Sequence, residues 1–422
     1  MILALFIILL LIGLPIAIVV MTTAIGYILN SGNFGLFDSL PQQLFGGIES
    51  YGLLAIPLFM LAGEFMNEGG LTKRLVAMAS VFVSGFKGGL AYVNLIANMM
   101  MASIMGSAVA QIAVMSNVMV PEMEKKGYDR AYAGALTAAG GLMSPIIPPS
   151  MLFVIYGVLA QIPIGDMFIA GVVPGLMMGT GFILVVALLG FKYNYPKSAK
   201  ITLSEARSDL LMGLPSLIIP VVIIGGILLG IATPTESASI AVVAALVIGK
   251  YVYKELQFRN FGTLLFNTAL NSSAVIFMVA GANLLGWALI FEQLPQTVAA
   301  WLAALSDDPL VFLLLVNLAL LLVGMVIDGI AALVMVVPIL LPIAVNVYGI
   351  DPYHFGVIVC LNLVLGLLTP PVGSGLFVAA SMSRVPPTAI FKALLPFLAM
   401  SMFILLLLIW QPWLVTALQK AL

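Results

Sequence analysis

The sequence predicts an all-α polytopic membrane protein built from inverted repeats, each containing a re-entrant helical hairpin and a broken transmembrane helix. Three observations carry this prediction: an apolar composition, a proline-rich helix break that occurs twice, and loops whose basic residues alternate in bias between the two halves. Of 422 residues, 63% are hydrophobic and 8% charged, with a mean hydropathy of +1.21, outside the range of soluble domains.

The first break is Gly140-Gly-Leu-Met-Ser-Pro-Ile-Ile-Pro-Pro-Ser150. Pro145, Pro148 and Pro149 lack an N–H and clash with the preceding turn, so a helix starting near Tyr128 cannot run unbroken to Tyr156. In a bilayer, freed backbone groups are tolerated only where protein buries them or they line a cavity, which makes the break a candidate binding site. Residues Gly366-Leu-Leu-Thr-Pro-Pro-Val-Gly-Ser-Gly375 repeat the pattern. Thr369-Pro370 answers Ser144-Pro145 at an offset of 225, and on that offset Gly375 answers Ser150. Two interrupted helices in corresponding halves point to a transporter.

A crossing needs about 20 apolar residues. Full spans are expected at 2–29, 50–67, 131–160, 166–191, 209–232, 236–252, 263–290, 353–382 and 387–415. The opening run has no basic leader and no clear cleavage site, so it reads as the first span rather than a signal peptide. Segments 89–121 and 309–342 carry central interruptions, Gly106-Ser107 and Asp328-Gly329, and read as re-entrant hairpins. Each is expected to end on a proline 14 residues on, Pro121 and Pro342. Ser103 falls on Gly324 at the hairpin offset of 221, and Val93-Asn94-Leu95 resembles Val316-Asn317-Leu318.

Basic residues orient the halves. Lys125, Lys126 and Arg130 follow the first hairpin, whereas Asp351 follows the second; Lys73 and Arg74 are answered by Glu292. Loop 30–49 lacks Lys and Arg, while 250–259 has Lys250, Lys254 and Arg259; 161–165 lacks them, while its counterpart has Arg384. By the positive-inside rule the repeats are inverted. The expected division is 1–191, a cytoplasmic linker 192–208 with Lys192, Lys197, Lys200 and Arg207, and 209–422. Segments 71–87 and 294–307 read as interfacial arm helices or, alternatively, short tilted spans.

The net charge of −1 excludes nucleic acid as an obvious partner. Cys360 reads as a small buried hydrophobe and the lone His354 as a loop or interfacial residue, so a metal-ligand set is not expected. No Walker sequence is present, so transport would be driven by something other than ATP bound to this chain. No acid, base or nucleophile constellation recurs at helical spacing, which argues against an enzyme.

Each hairpin tip is expected beside the broken helix of its own half, where freed carbonyls and hydroxyls suit sodium. The first set is Ser103 and Ser107 with the backbone of Gly141, Ser144 and Pro145; the second is Gly324, Asp328 and Thr369 with Pro370 and Gly373. Asp328 is the sharpest candidate, because a carboxylate in an apolar run costs about 3 kcal/mol unless a cation pairs with it. Serines in small-residue clusters also serve close helix packing. Asn98 and Gln111 either face a polar substrate or bond across helices, and Ser150 and Ser374 join them as candidate substrate contacts. Glu236 reads as a helix cap, whereas Glu64, Glu68 and Asp166 lie near span ends and need no functional role.

Five motifs in order, Gly106-Ser-Ala-Val-Ala-Gln-Ile-Ala-Val-Met115, Ser144-Pro-Ile-Ile-Pro-Pro-Ser150, Ile162-Pro-Ile-Gly-Asp166, Ile231-Ala-Thr-Pro-Thr-Glu236 and Leu368-Thr-Pro-Pro-Val-Gly373, resemble the large membrane subunit of tripartite ATP-independent periplasmic (TRAP) transporters. The resemblance covers essentially the whole chain. It implies an elevator-type fold in the bacterial inner membrane and sodium-coupled import of a small carboxylate, such as sialic acid or a C4-dicarboxylate. It also implies a periplasmic binding protein and a small four-helix membrane subunit as partners, with sodium as coupling ion and no other cofactor. Members often have Gly at Ser144, which favours a backbone role there, and many carry an acid at Gln111. The competing expectation is a channel or scaffold subunit that relies on a partner for transport.

Overall fold

The computed structural model describes residues 2–83, 85, 87–192, 195–196 and 202–421, with the backbone alone at Leu3 and Lys192. Among these residues the regular structure is helical, with no strand. Six helices are long and apolar enough to cross a membrane, or up to eight if each of two bent pairs forms one span.

The chain opens with α1 (Ile2–Leu11) and α2 (Ile16–Ser31), not the single span expected over 2–29. Gly13 takes a left-handed φ of 82° and Pro15 precedes α2, so the helix is interrupted. Helices α3 (Leu40–Gly46) and α4 (Ala55–Glu68) follow, and α3 occupies part of the expected loop 30–49. The arm α5 (Leu71–Phe82) leads into the hairpin α6 (Gly89–Met105) and α7 (Ala108–Lys125). The first broken helix is α8 (Arg130–Gly141) plus α9 (Met151–Ala160), followed by α10 (Ile164–Lys192).

Helices α11 (Leu203–Leu228), α12 (Pro234–Val247) and α13 (Phe261–Phe291) precede a second run in the same order. It comprises the arm α14 (Leu294–Leu305), the hairpin α15 (Pro309–Gly324) and α16 (Gly329–Asn346), the broken helix α17 (Pro352–Gly366) and α18 (Ser374–Ser383), and the long α19 (Pro387–Trp410). A final helix, α20 (Trp413–Ala421), splits the span expected to reach 415. Arm α14 and α15 meet at 117°, so they do not form a continuous crossing. Helix α11 starts six residues before the expected boundary at 209 and takes Arg207 into its exposed first turns. Lys197 and Lys200 of the expected linker lie outside the described residues.

Local sequence explains the element ends. Asp129 Oδ1 accepts from Tyr132 N at 2.8 Å, and Asp351 Oδ1 accepts from Tyr353 N at 2.9 Å, capping the two broken helices alike. Thr233 caps α12 in a reciprocal box with Glu236, whose carboxylate accepts from Thr233 N at 2.8 Å, the capping role expected of Glu236. The hairpins do not end on prolines. Pro121 lies inside α7, and Pro338 and Pro342 lie inside α16, because an interior proline removes one ladder bond without stopping a helix that neighbours hold. His354 is buried in the first turn of α17, with Nε2 2.9 Å from the Leu408 carbonyl, rather than in a loop. Cys360 is buried in the same helix.

The halves of the broken helices are joined end to end. Arg130 Nε, at the start of α8, donates to the Ser383 carbonyl at the end of α18 at 2.6 Å. At the opposite end, Tyr156 Oη of α9 donates to the Pro352 carbonyl of α17 at 2.5 Å, and Tyr353 Oη donates to Asp166 at 3.1 Å. The two broken helices therefore run antiparallel. Around them α6, α7, α10, α15 and α19 pack as one group, while α2, α4, α11, α12 and α13 pack as another. Tyr195 stacks on Tyr128 and Tyr132 at 5.6 and 5.3 Å, and Gly88 N donates to the Pro196 carbonyl at 3.0 Å. Burial pushes the Tyr128 phenol up to about 12.

Glycines set the closest approach. A Cβ on Gly366 of α17 would lie 2.6 Å from Gly324 Cα of α15, whereas one on Gly225 of α11 would meet nothing within 4 Å. Gly366→Ala should therefore destabilise by about 1–3 kcal/mol, while Gly225→Ala should be neutral or stabilise by about 0.5–1 kcal/mol. Thermal unfolding midpoints of the two detergent-purified variants check the difference in sign.

Candidate functional site

The α6–α7 turn places Gly106 and Ser107 against the first break: a Cβ on Gly106 would lie 3.5 Å from Met151 N and 3.7 Å from the Pro149 carbonyl. In the second run the contact is a pair of hydrogen bonds. Val372 N and Gly373 N donate to the Met325 carbonyl at 3.3 and 3.0 Å, so the turn after α15 is tied to the second break. Both tips then open on one cleft of about 40 Å³, lined by Gly106, Ser107, Pro145, Leu152, Asp328 and Leu367 among others. A single water needs about 10–15 Å³ of such space, so this cleft admits an ion with a few waters but not an organic acid of sugar size.

Three of the sequence-predicted residues, Ser107, Pro145 and Asp328, line that cleft. Ser107 caps α7, its Oγ accepting loosely from Ala110 N at 3.5 Å, and Asp328 caps α16, its Oδ2 accepting from Ile330 N at 3.1 Å. Asp328 is exposed as a residue, not sealed in the apolar run expected from the sequence, because it sits on the turn itself. Its charge faces the positive end of its own helix. No Lys, Arg or His lines the cleft, and the three ion pairs found among the described residues, Arg74–Glu255, Lys125–Glu122 and Arg130–Glu124, involve none of its lining residues.

The remaining predicted residues lie behind the cleft. Ser103 is buried on α6, and Gly324 ends α15 against the backbone of Leu363 and Gly366. The Gly141 carbonyl accepts from Ser144 N at 3.1 Å, and the Pro145 carbonyl accepts from the Ser150 hydroxyl; each keeps a second lone pair. Thr369 donates to the Leu365 carbonyl at 2.8 Å, while Pro370 is exposed. The hydroxyls of Ser144 and Ser374 are buried without a hydrogen-bond partner, the state expected of oxygens available to a cation.

The candidate substrate contacts are arranged differently. Asn98 and Gln111 are fully buried and joined to each other, Gln111 Nε2 donating to Asn98 O and Oδ1 at 2.8 and 2.9 Å, so neither faces the cleft. Ser150 caps α9 by accepting from Phe153 N at 3.2 Å. The residue that occupies this cap position in the second break is Gly373, not Gly375, because that break spans 367–373 and the first spans 142–150. Sequence reasoning did not single out Thr137 and Asn362, which bond across to the hairpins; the repeated Val-Asn-Leu pattern was the signal for their partners. A larger cavity of about 1030 Å³ lies between α3, α9, α13 and α16, next to Glu49, Gln161 and Trp287, and holds none of the predicted residues.

Residues 3–414 match the family model described as tripartite ATP-independent periplasmic transporter, DctM component. The chain belongs to the DctM family. This DctM-family chain is 37% identical over 397 residues to the sialic acid TRAP transporter large permease protein SiaM of Vibrio cholerae, covering 94% of this chain and 92% of that one. It is 35% identical over 374 residues to the C4-dicarboxylate TRAP transporter large permease protein DctM of Pseudomonas aeruginosa, covering 89% and 87%. Its fold is similar to that of the solved Alcanivorax borkumensis YdaH transporter, with a TM-score of 0.64, 17% identity and coverage of 91% and 88%.

The cap at the first break yields a test. Ser150→Ala removes the bonds to Pro145 and Phe153 and should cost about 1 kcal/mol of stability, as for other N-caps. A lowered unfolding midpoint in detergent, restored by Ser150→Thr, checks it.

Proposed function

We propose that this TRAP large permease carries a small organic anion, a carboxylate of the sialic acid or C4-dicarboxylate kind, into the cell at the expense of a sodium gradient. The observation that carries the reading is the single cleft in which both hairpin tips and both helix breaks meet, with Asp328 as its one charged lining residue. The cleft has room for an ion rather than for the organic anion itself, and a carboxylate without a counter-charge in a bilayer is disfavoured, so a cation is its fitting occupant. Sodium suits the oxygens available: the Ser103 and Ser107 hydroxyls with the Gly141, Ser144 and Pro145 backbone, and Asp328 and Thr369 with the backbone of Gly324, Pro370 and Gly373. The N-terminus of α7, capped by the neutral Ser107, supplies further positive potential.

The antiparallel broken helices support a division into 1–191, a linker 192–208 and 209–422, with the halves inverted. The packing of the hairpins and broken helices as a group apart from α2, α4, α11, α12 and α13 supports an elevator movement of one group against the other. A tripartite system has two further components, and we assign them to a small four-helix membrane subunit and a periplasmic substrate-binding protein, in the bacterial inner membrane.

Uptake of radiolabelled carboxylate by liposomes carrying the complete complex should require an inward sodium gradient. Asp328→Asn keeps shape and one carbonyl oxygen but removes the charge, and it should abolish the steepest part of the sodium dependence. Ser107→Ala should weaken sodium affinity by about 1–2 kcal/mol, the scale of one lost polar contact. Uptake that ignores the gradient overturns the coupled reading; unchanged sodium dependence in Asp328→Asn removes the charged site from the second hairpin.

A further inference from the structure

Below the cleft, each hairpin is bridged to its broken helix by one pair of buried side chains. In the first run, Asn94 Nδ2 of α6 donates to Thr137 Oγ1 of α8 at 2.7 Å, and Thr137 Oγ1 donates in turn to the Ala133 carbonyl at 2.8 Å. In the second, Asn362 Nδ2 of α17 donates to Asn317 O and Oδ1 of α15 at 2.9 and 2.6 Å. Thr137 and Asn362 stand at the offset of 225 that relates the two breaks, and Asn94 and Asn317 stand at 223. The bridge is thus duplicated with its donor reversed, from the hairpin in the first run and from the broken helix in the second. All four residues are buried, with exposures of 0, 0, 7 and 1% for Asn94, Thr137, Asn317 and Asn362, so none touches the cleft.

Their place along the helices is what matters. Thr137 precedes Gly141, and Asn362 precedes Gly366, by four residues, one helical turn, and at each of those glycines the regular helix ends. Just above the bridges the partners approach at glycine distance. A Cβ on Gly140 would lie 2.6 Å from Asn98 Cγ, and one on Gly366 would lie 2.6 Å from Gly324 Cα. Small residues let the elements approach this closely but supply no side-chain hydrogen bond of their own to fix axial register. Buried amide and hydroxyl bonds do fix it, because a slip leaves polar groups unpaired in an apolar surround.

We propose that Asn94–Thr137 and Asn317–Asn362 are positioning pairs that lock each hairpin tip in register with its helix break, and thereby set the affinity of the cation sites assembled from the two. This rests on the sodium-coupled reading above. A cation site whose oxygens come from two elements binds well only when those elements hold a fixed spacing, to within about 0.5 Å. The first pair is reinforced: Asn94 Oδ1 accepts from Asn98 Nδ2 at 2.7 Å, and Asn98 carries Gln111. The second has no such extension among the described residues, and Asn317 Nδ2 returns to its own helix at the Leu313 carbonyl, 2.7 Å away.

The test uses the complete complex in liposomes and reads half-saturating sodium separately from maximal uptake rate. Asn362→Leu keeps the branching at Cγ but removes the bridge; it should raise half-saturating sodium about tenfold, with the maximal rate within about twofold of the parent. Asn362→Thr supplies a hydroxyl of the kind that accepts from Asn94 in the first pair, here for the Asn317 amide to donate to, and should bring the sodium dependence back to within about threefold. Unchanged half-saturation in both variants, or a fall in maximal rate alone, overturns the proposal, since a merely structural role would lower the amount of active protein without moving sodium affinity. If Asn362→Leu fails to assemble, Thr137→Val against Thr137→Ser makes the same comparison in the first pair, with the same outcomes deciding. A parent complex indifferent to sodium overturns the coupled reading and the positioning role with it; a sodium-dependent parent with indifferent variants overturns only the latter.

Discussion

Everything in this protein follows from the demand that backbone N–H and C=O groups be satisfied where water is absent. Helices meet that demand internally, and the chain is accordingly helical wherever it is apolar. Two breaks violate it at 142–150 and 367–373, and the surrounding structure answers each. In the first, Ser150 binds both the Pro145 carbonyl and the Phe153 amide, and short turn bonds take the carbonyls of Gly140, Gly141 and Met143. In the second, the break turns its amides outward to the Met325 carbonyl of the hairpin. Each solution leaves oxygens with spare lone pairs close to the hairpin tips, so backbone satisfaction and the cleft share one cause.

Packing density makes this possible. Gly324 and Gly366 let hairpin and broken helix touch backbone to backbone, and Gly141 makes room for the Ile112 side chain of α7. A similar economy operates at the contact between the two helix groups, where a Cβ on Gly286 of α13 would meet Pro338 of α16 at 2.9 Å, and one on Gly63 of α4 would meet the Ile104 carbonyl at 3.3 Å. Within the hairpin group the pairs Asn94–Thr137 and Asn317–Asn362 add directional bonds to such contacts.

The architecture is legible because it is written in prolines and spacing. The Pro145 and Pro370 breaks, the Gly106-Ser107 and Asp328-Gly329 turns and the short arms all read directly from residue type and periodicity. Sequence pattern misleads where neighbours override local preference. Pro121 and Pro342 read as ends but are interior, since packed neighbours hold the helix through a missing bond. The pairing of Ser150 with Gly375 fails because the second break is shorter, which shifts the offset from 225 before it to 223 at the caps, Ser150 and Gly373. At the candidate site, the tip residues Ser107 and Asp328 can be found from sequence symmetry alone, whereas the partners of Asn98 and Gln111 cannot. Whether a buried amide faces a cavity or another amide depends on helix rotation, and apolar segments with weak amphipathicity do not report it.

The two runs are similar in path yet unequal in chemistry, and the inequality is consistent. The first break is almost wholly buried, its tip carries the neutral Ser107, and its hairpin holds the Asn94–Asn98–Gln111 network. In the second break Pro370, Pro371 and Val372 are exposed, its tip carries Asp328, and Ala332 stands where the repeat offset would put a counterpart of Gln111. A buried tip must satisfy polar groups with protein partners, and neutral amides do this at low desolvation cost. The charge of the second tip stands instead beside an open break, where its carboxylate accepts from the backbone amide of Ile330 at the N-terminus of α16. The first run is thus closed and held by neutral amides, while the second is open at its break. Asymmetry of access therefore arises within a single chain whose two runs trace the same succession of helices.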